Sequence, residues 1–381
     1  MKKLIVIPLV AAGMMAMTGC SKSPVKETAK VDAINLANLD TTVAPGTDFY
    51  EYACGGWIKN NPLKPEYSRF GTFDQLNENN QEQLRTLINE LGTTPQEAGS
   101  VAQKIGMLYA MGLDSIKLNK DGMAPVKEQL EAIQRLGTKA DVAKMVAVLH
   151  KEGMAPFFAL FVDADEKNSS MNIVQMYQAG LGMGDRDYYL LDDEATVKVR
   201  DAYKQFIKQL FTLTGASPEQ ADAAVNAVMK IETGIAEISF SREDLRDTQK
   251  NYNKIKLEEF KARNNPLDWD VYFESMGLME IEYLDAKQLP FYDALGEFMK
   301  NVSIDEQKYY LAFNLLNAGA AYLSDDFVSA EFDFYGKIMS GKQEQKPRWK
   351  RSLSTVNDAL GEAVGQMYVT KYFPASSKEK M

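Results

Sequence analysis

Residues Gly336 to Lys342 carry the glycine and lysine spacing of a phosphate-cradling loop, in which backbone N–H groups and a lysine hold a nucleotide. The next residue is Gln343 rather than the serine or threonine that would hold magnesium, and no Val/Ile-rich strand precedes it, so nucleotide chemistry is not expected there. Gly180-Leu181-Gly182-Met183-Gly184 lacks the dinucleotide-binding spacing and reads as a tightly turned loop. Asp163 and Asp165 stand like the first ligands of a calcium loop, but the sixth position has no glycine and the twelfth no glutamate. Asp185, Asp187, Asp192, Asp193 and Glu194 could hold calcium only in a closed geometry, and a solvated acidic turn is the better reading. Ser377-Lys378-Glu379-Lys380 is a bare Ser-x-x-Lys without companion motifs, read as a charged helix start.

His150 is the chain's single histidine. It ends a predicted helix just before Gly153, where an imidazole caps carbonyls and meets the negative end of the helix dipole. A site built on paired histidines is therefore absent, and two cysteines exclude a thiolate-rich zinc or iron–sulfur site.

The elements that would position any chemistry are mostly helical. Leu84, Leu87, Ile88 and Leu91 fall on one helix face, as do Val142, Met145, Val146 and Leu149, then Tyr203, Phe206, Ile207 and Leu210. Val356, Leu360, Val364 and Met367 give another such stripe. Start signals appear at Thr94-Pro95-Gln96-Glu97, Ser217-Pro218-Glu219-Gln220 and Ser303-Ile304-Asp305-Glu306. The exception is Phe157–Val162 followed by Asn172–Tyr177, which predicts a β-hairpin with a long polar loop over Asp163–Met171. No internal repeat is visible.

At 381 residues, 45% hydrophobic and 25% charged, the chain has the composition of a globular protein of two to three domains. Its net charge of −10 repels phosphate backbones, so no nucleic-acid partner is expected. Residues 1–19 read as a signal peptide: Lys2-Lys3, the apolar run Leu4–Met17, then Thr18-Gly19-Cys20, which resembles a bacterial lipobox. Cys20 is the expected lipidation site, with the membrane as partner through that lipid and a cell-envelope location on the periplasmic or outer side. Residues 20–45 read as a tether.

The segment Gly46–Asn77 contains Gly-Thr-Asp-Phe-Tyr-Glu-Tyr-Ala-Cys-Gly-Gly-Trp-Ile-Lys-Asn-Asn-Pro and then Tyr67-Ser68-Arg69-Phe70-Gly71-Thr72-Phe73. Phe49, Tyr50, Tyr52 and Trp57 read as anchors, and Gly55-Gly56 permits a close backbone approach. This stretch resembles the N-terminal signature of the neprilysin-like zinc metalloendopeptidases, the family that includes bacterial endopeptidase O. Gly180–Tyr189 is similar to that family's Gly-Leu-Gly…Arg-Asp-Tyr-Tyr segment, and Met339-Ser340-Gly341 with Pro347-Arg348-Trp349-Lys350 and Leu360–Phe373 gives a third ordered match.

The resemblance implies a mainly α fold: a large helical cap domain over residues 76–381 with a small β-hairpin. Before it, over 46–75, comes an aromatic-rich extended segment that would pack on a thermolysin-like catalytic lobe lying outside this chain. The family's zinc is bound by His-Glu-x-x-His and a downstream glutamate, so these residues are expected to hold no metal or cofactor of their own, zinc belonging to the full-length family. The chain is thus expected to be a truncated or N-terminal portion, inactive alone, meeting its oligopeptide substrate only with the catalytic lobe. Arg69 occupies the Ser-Arg-aromatic-Gly position that in the family helps bind substrate near its C-terminal carboxylate, and a second arginine of neprilysin is Asn77 here. Cys54 stands where animal members have a disulfide-bonded cysteine, and is expected either free or paired beyond Met381. The alternative function is a non-catalytic envelope lipoprotein that binds peptides or a partner protein.

Overall fold

In the computed structural model, residues 35–263 and 266–381 are described. The leader, Cys20 and most of the tether lie outside them. Among the described residues no helix is long and apolar enough to cross a membrane. The chain divides into two compact units, one containing the residues up to Pro62 together with Asn357–Met381, the other Leu63–Val356.

In the first unit, Phe49–Asn60 is a helix rather than an extended segment. Asp48 sets its start by accepting a 2.9 Å hydrogen bond from Glu51 N–H. The extended segment implied by the resemblance is thus corrected, and the two glycines serve the helix: a Cβ on Gly56 would collide with the carbonyls of Ala37 and Leu39. That close approach is the role foreseen for Gly55-Gly56. Phe49 and Tyr50 are exposed, and Tyr52 and Trp57 are half-buried.

In the second unit, Leu84, Leu87 and Ile88 are buried, as are all four apolar residues named in each of the helices Lys139–Lys151 and Glu194–Leu213. The helices Pro218–Ile238 and Ile304–Gly319 begin with the capping boxes read at Ser217 and Ser303. Thr94 does not start a helix. It ends Thr72–Thr93, because the Gln96 side chain turns back to donate to Leu91 O, and Ser100 caps the next helix through Gln103 N–H. Arg348–Tyr372 is helical with a break at Leu360, where φ is −134°.

The hairpin is longer and its loop shorter than the sequence suggests. Strands β1 (Phe158–Asp165) and β2 (Asn168–Gln178) pair antiparallel out to Asp165↔Asn168, leaving Glu166-Lys167 as the turn. Its outer end is largely exposed, so the strand continues through polar residues without apolar alternation. Two short strands complete the sheet, β3 (Lys254–Lys256) and β4 (Tyr283–Ala286), in the order β1-β2-β4-β3 with β2 and β4 parallel. One aromatic cluster, with Phe158, Trp269, Tyr272 and Tyr292, packs near the inner end of β1, and another joins Tyr203, Phe206, Phe313 and Phe334.

Candidate functional site

Where β2 ends, the chain makes the glycine-rich turn Gly180–Gly184. Gly180 has φ +96°, and a side chain there would meet the Phe157 backbone and the Tyr310 hydroxyl. A Cβ on Gly182 would overlap the Tyr203 hydroxyl. Opposite Gly180, Phe157 itself holds φ +67°, an unusual conformation for an aromatic residue, fixed by a 3.0 Å bond from its N–H to Tyr310 Oη.

Hydroxyls and one carboxyl answer the turn's polar groups. Tyr310 donates to Gly180 O at 2.8 Å and Tyr335 to Gly182 O at 2.9 Å. Met183 N–H donates to Tyr189 Oη at 3.0 Å, and Gly182 N–H to Glu232 Oε1 at 3.3 Å. Tyr189 and Tyr203 donate to Glu232 Oε2 at 2.7 and 2.9 Å. Glu232 is 1% exposed, and burial pushes its carboxyl up to about 8 against the opposing hydrogen bonds from Tyr189, Tyr203 and Gly182 N–H. The sequence reading missed Glu232. Its signal was an acid on the buried face formed by Ala224, Val228, Ile231 and Ile235.

Above this network lies a cavity of about 510 Å³ whose wall includes Gly180, Gly182, Arg186, Arg242, Asn314 and Asn317. Of the residues that line it, Arg186 and Asn317 each hold one buried polar atom, Nε and Oδ1, without a hydrogen-bond partner.

Arg69 lies elsewhere in the same unit. It is exposed and forms no ion pair among the described residues. Beside it in sequence, Tyr67 is buried and donates to Glu78, which Lys350 and, at 2.7 Å, Lys64 also bind. Lys350 reaches Glu66 as well, at 3.3 Å. Burial raises the Glu78 carboxyl, but the hydrogen bonds from Lys350, Lys64 and Tyr67 outweigh it and hold the group at about 2. Arg85 lies over the Trp349 ring at 4.3 Å. The structure thus joins Tyr67 of the first motif to the Trp349-Lys350 pair of the third, and it places the second motif at the cavity.

The remaining candidates have structural occupations. His150 Nε2 donates to Pro156 O at 3.2 Å, so Nδ1 accepts from the Tyr272 hydroxyl at 2.7 Å. Burial lowers its pKa to about 4, against the hydrogen bonds with the backbone of Pro156 and Phe158. The imidazole is neutral and brings no charge to its helix end, contrary to the dipole reading. Gly336-Lys337 lies in the π-helical segment Phe332–Met339, Gly336 against the Phe332 ring and Lys337 paired to Asp333 at 2.6 Å, which leaves no phosphate cradle. Asp165 is bound by Lys254 and Tyr252, Asp185 by Arg242, and Asp193 caps a helix at Thr196. Ser377-Lys378 lies in the short exposed helix Ala375–Lys380. Cys54 is half-buried and, among the described residues, in no disulfide. Among the described residues no three of His, Cys, Asp and Glu are grouped as metal ligands would be.

Residues 45–381 match the model of Peptidase family M13. The chain is 30% identical to endothelin-converting enzyme 1 of Mus musculus over 403 residues, covering 99% of this chain and 51% of that protein. The enzyme of Homo sapiens matches equally, at 30% over 407 residues. Among solved structures, the Mycobacterium tuberculosis zinc metalloprotease Zmp1 bound to an inhibitor superposes with a TM-score of 0.85 at 26% identity, over 91% of this chain and 53% of that one. PepO of Lactobacillus rhamnosis shares the fold, with a TM-score of 0.75 at 19% identity over 89% of this chain and 53% of that one. The chain spans about half the length of the curated relatives it matches.

Proposed function

This chain belongs to peptidase family M13, a family of zinc metallopeptidases, and from that premise we propose that it forms the N-terminal, largely helical part of an endopeptidase that cleaves oligopeptides. The observation that carries the reading is a family match running through residues 45–381 while the relatives are about twice as long. The single histidine has both ring nitrogens occupied, so the zinc ligands and the hydrolytic step belong to residues other than these. The chain alone is inactive.

Within that enzyme, Arg69 contacts the substrate near its C-terminal carboxylate. A guanidinium offers a planar fork to a carboxylate, and this one is exposed and in no ion pair among the described residues. Cys20 carries lipid and holds the protein on an envelope membrane, a reading supported by the residues Lys2 to Cys20.

The test joins this chain to a zinc-binding half of the family carrying His-Glu-x-x-His. The joined protein is expected to cleave an internally quenched oligopeptide in a chelator-sensitive way. Arg69→Gln then raises KM about tenfold for peptides with a free C-terminal carboxylate and leaves amidated peptides unchanged. Joined protein that folds and binds zinc but cleaves nothing would refute the reading. Cys20→Ser should release the protein from the membrane fraction, and unchanged fractionation with normal processing would refute the anchor.

A further inference from the structure

We propose that the cavity beside the Gly180–Gly184 turn is a binding site for a peptide carboxylate, with Arg186 as the anion contact and Asn317 Oδ1 as acceptor for a neighbouring amide N–H. Three charged side chains are on its wall: Asp185, Arg186 and Arg242. Arg242 is paired with Asp185, while Arg186 forms no ion pair among the described residues, so the cavity carries one unneutralised positive charge. Its Nε is a buried donor with nothing to donate to. Such a group costs free energy until an acceptor arrives, and a carboxylate meets a guanidinium better than a neutral acceptor does.

The polarity of Asn317 follows from its neighbours. The one proton of the Tyr335 hydroxyl goes to Gly182 O, so Asn317 Nδ2 must donate to that hydroxyl, at 3.1 Å. Oδ1 is therefore the atom left unanswered, and it is an acceptor. A ligand satisfying both groups carries an anion and an N–H, which a peptide does at its C-terminus or at an acidic side chain. A volume of about 510 Å³ is within the usual range for small-ligand pockets, and the wall is already built, since Tyr310, Tyr335, Tyr189 and Glu232 fix the turn. The strained Phe157 on the other side of Gly180 fits a backbone held for a purpose beyond packing. Every wall residue lies in Leu63–Val356, so the site stands whether or not the endopeptidase reading does.

The test is calorimetric titration of the purified chain with three probes: acetyl-Ala-Ala-Ala with a free carboxylate, the same peptide amidated, and acetyl-Ala-Asp-Ala-amide. The free acid or the aspartyl amide is expected to bind at least tenfold more tightly than the amidated trialanine. Which of the two binds identifies the source of the carboxylate. Arg186→Gln should abolish that preference, and Arg186→Lys, which keeps the charge without the fork, should retain part of it. Thermal melts of both variants establish that they are folded. Equal affinity for all three peptides, no binding at millimolar concentration, or a full preference in folded Arg186→Gln would overturn the proposal.

Discussion

Glu232 is buried and Glu78 half-buried in one helical unit, and their carboxyls are shifted in opposite directions. Glu232 meets tyrosine hydroxyls and one backbone N–H, none of them charged, and burial wins, raising its carboxyl to about 8. Glu78 meets two lysines and Tyr67, and remains a carboxylate. Depth and partners together decide the direction of the shift. The Glu232 region braces its turn from within the chain, through Tyr310, Tyr335, Tyr189 and Glu232 itself. The Glu78 region is locked internally but has the exposed Arg69 nearby in sequence, and with it Phe73, which is 88% exposed. The first is braced within the chain yet borders the cavity of Arg186 and Asn317, and the second is an ion-paired lock next to an exposed surface.

The largest effect should come from breaking the turn over Glu232. Gly182→Ala forces a methyl group into the Tyr203 hydroxyl over Glu232, and is expected to cost about 3 kcal/mol in urea unfolding. A cost under about 1 kcal/mol would show that the turn yields easily. Next, Glu78→Gln leaves the ammonium of Lys350, itself 6% exposed, with Glu66 alone, and should cost about 2 kcal/mol.

The pH dependence sharpens the contrast, because the two carboxyls titrate on opposite sides of neutrality. Glu78 is depressed from 4.5 to about 2, so its stabilisation is present above pH 4.5 and is lost as pH falls towards about 2. Glu232 is raised from 4.5 to about 8, so the folded state keeps a proton that the unfolded chain has released. Its contribution to stability is undiminished below pH 4.5 and falls as pH rises to about 8. Glu232→Gln should flatten the stability profile between pH 5 and 8, and Glu78→Gln the profile below pH 4.5. Unfolding midpoints across pH for the three proteins check both windows, and an unchanged slope in either variant contradicts the assigned state. The smallest effect belongs to Arg69→Gln, which should leave stability within about 0.5 kcal/mol, since the guanidinium is exposed and forms no ion pair among the described residues.

Much of the helical fold was legible because its apolar stripes have a clean period: every residue of the Val142 and Tyr203 stripes is buried. Strands β3 and β4 were not legible, since three and four residues are too short to show alternation and their pairing is set by distant partners. The helix at Phe49 was hidden by Gly55-Gly56, whose low helix propensity is overridden by packing against Ala37 and Leu39. Thr94 misled because its capping pattern is local, whereas Gln96 is recruited by the preceding helix end. Of the candidate sites, Arg69 came through resemblance alone. The cavity could not be read, because its wall is assembled from Ala155 through Asn317, although one of its segments, Gly180–Gly184, had already been marked as a tight turn.

The claim that hydrolysis belongs to residues other than these is tested most directly by one assay of the purified chain on an internally quenched oligopeptide with stoichiometric zinc. No turnover above buffer is predicted, and no zinc retained after dialysis. Chelator-sensitive cleavage that rises in proportion to chain concentration and persists through repeated purification would contradict the account.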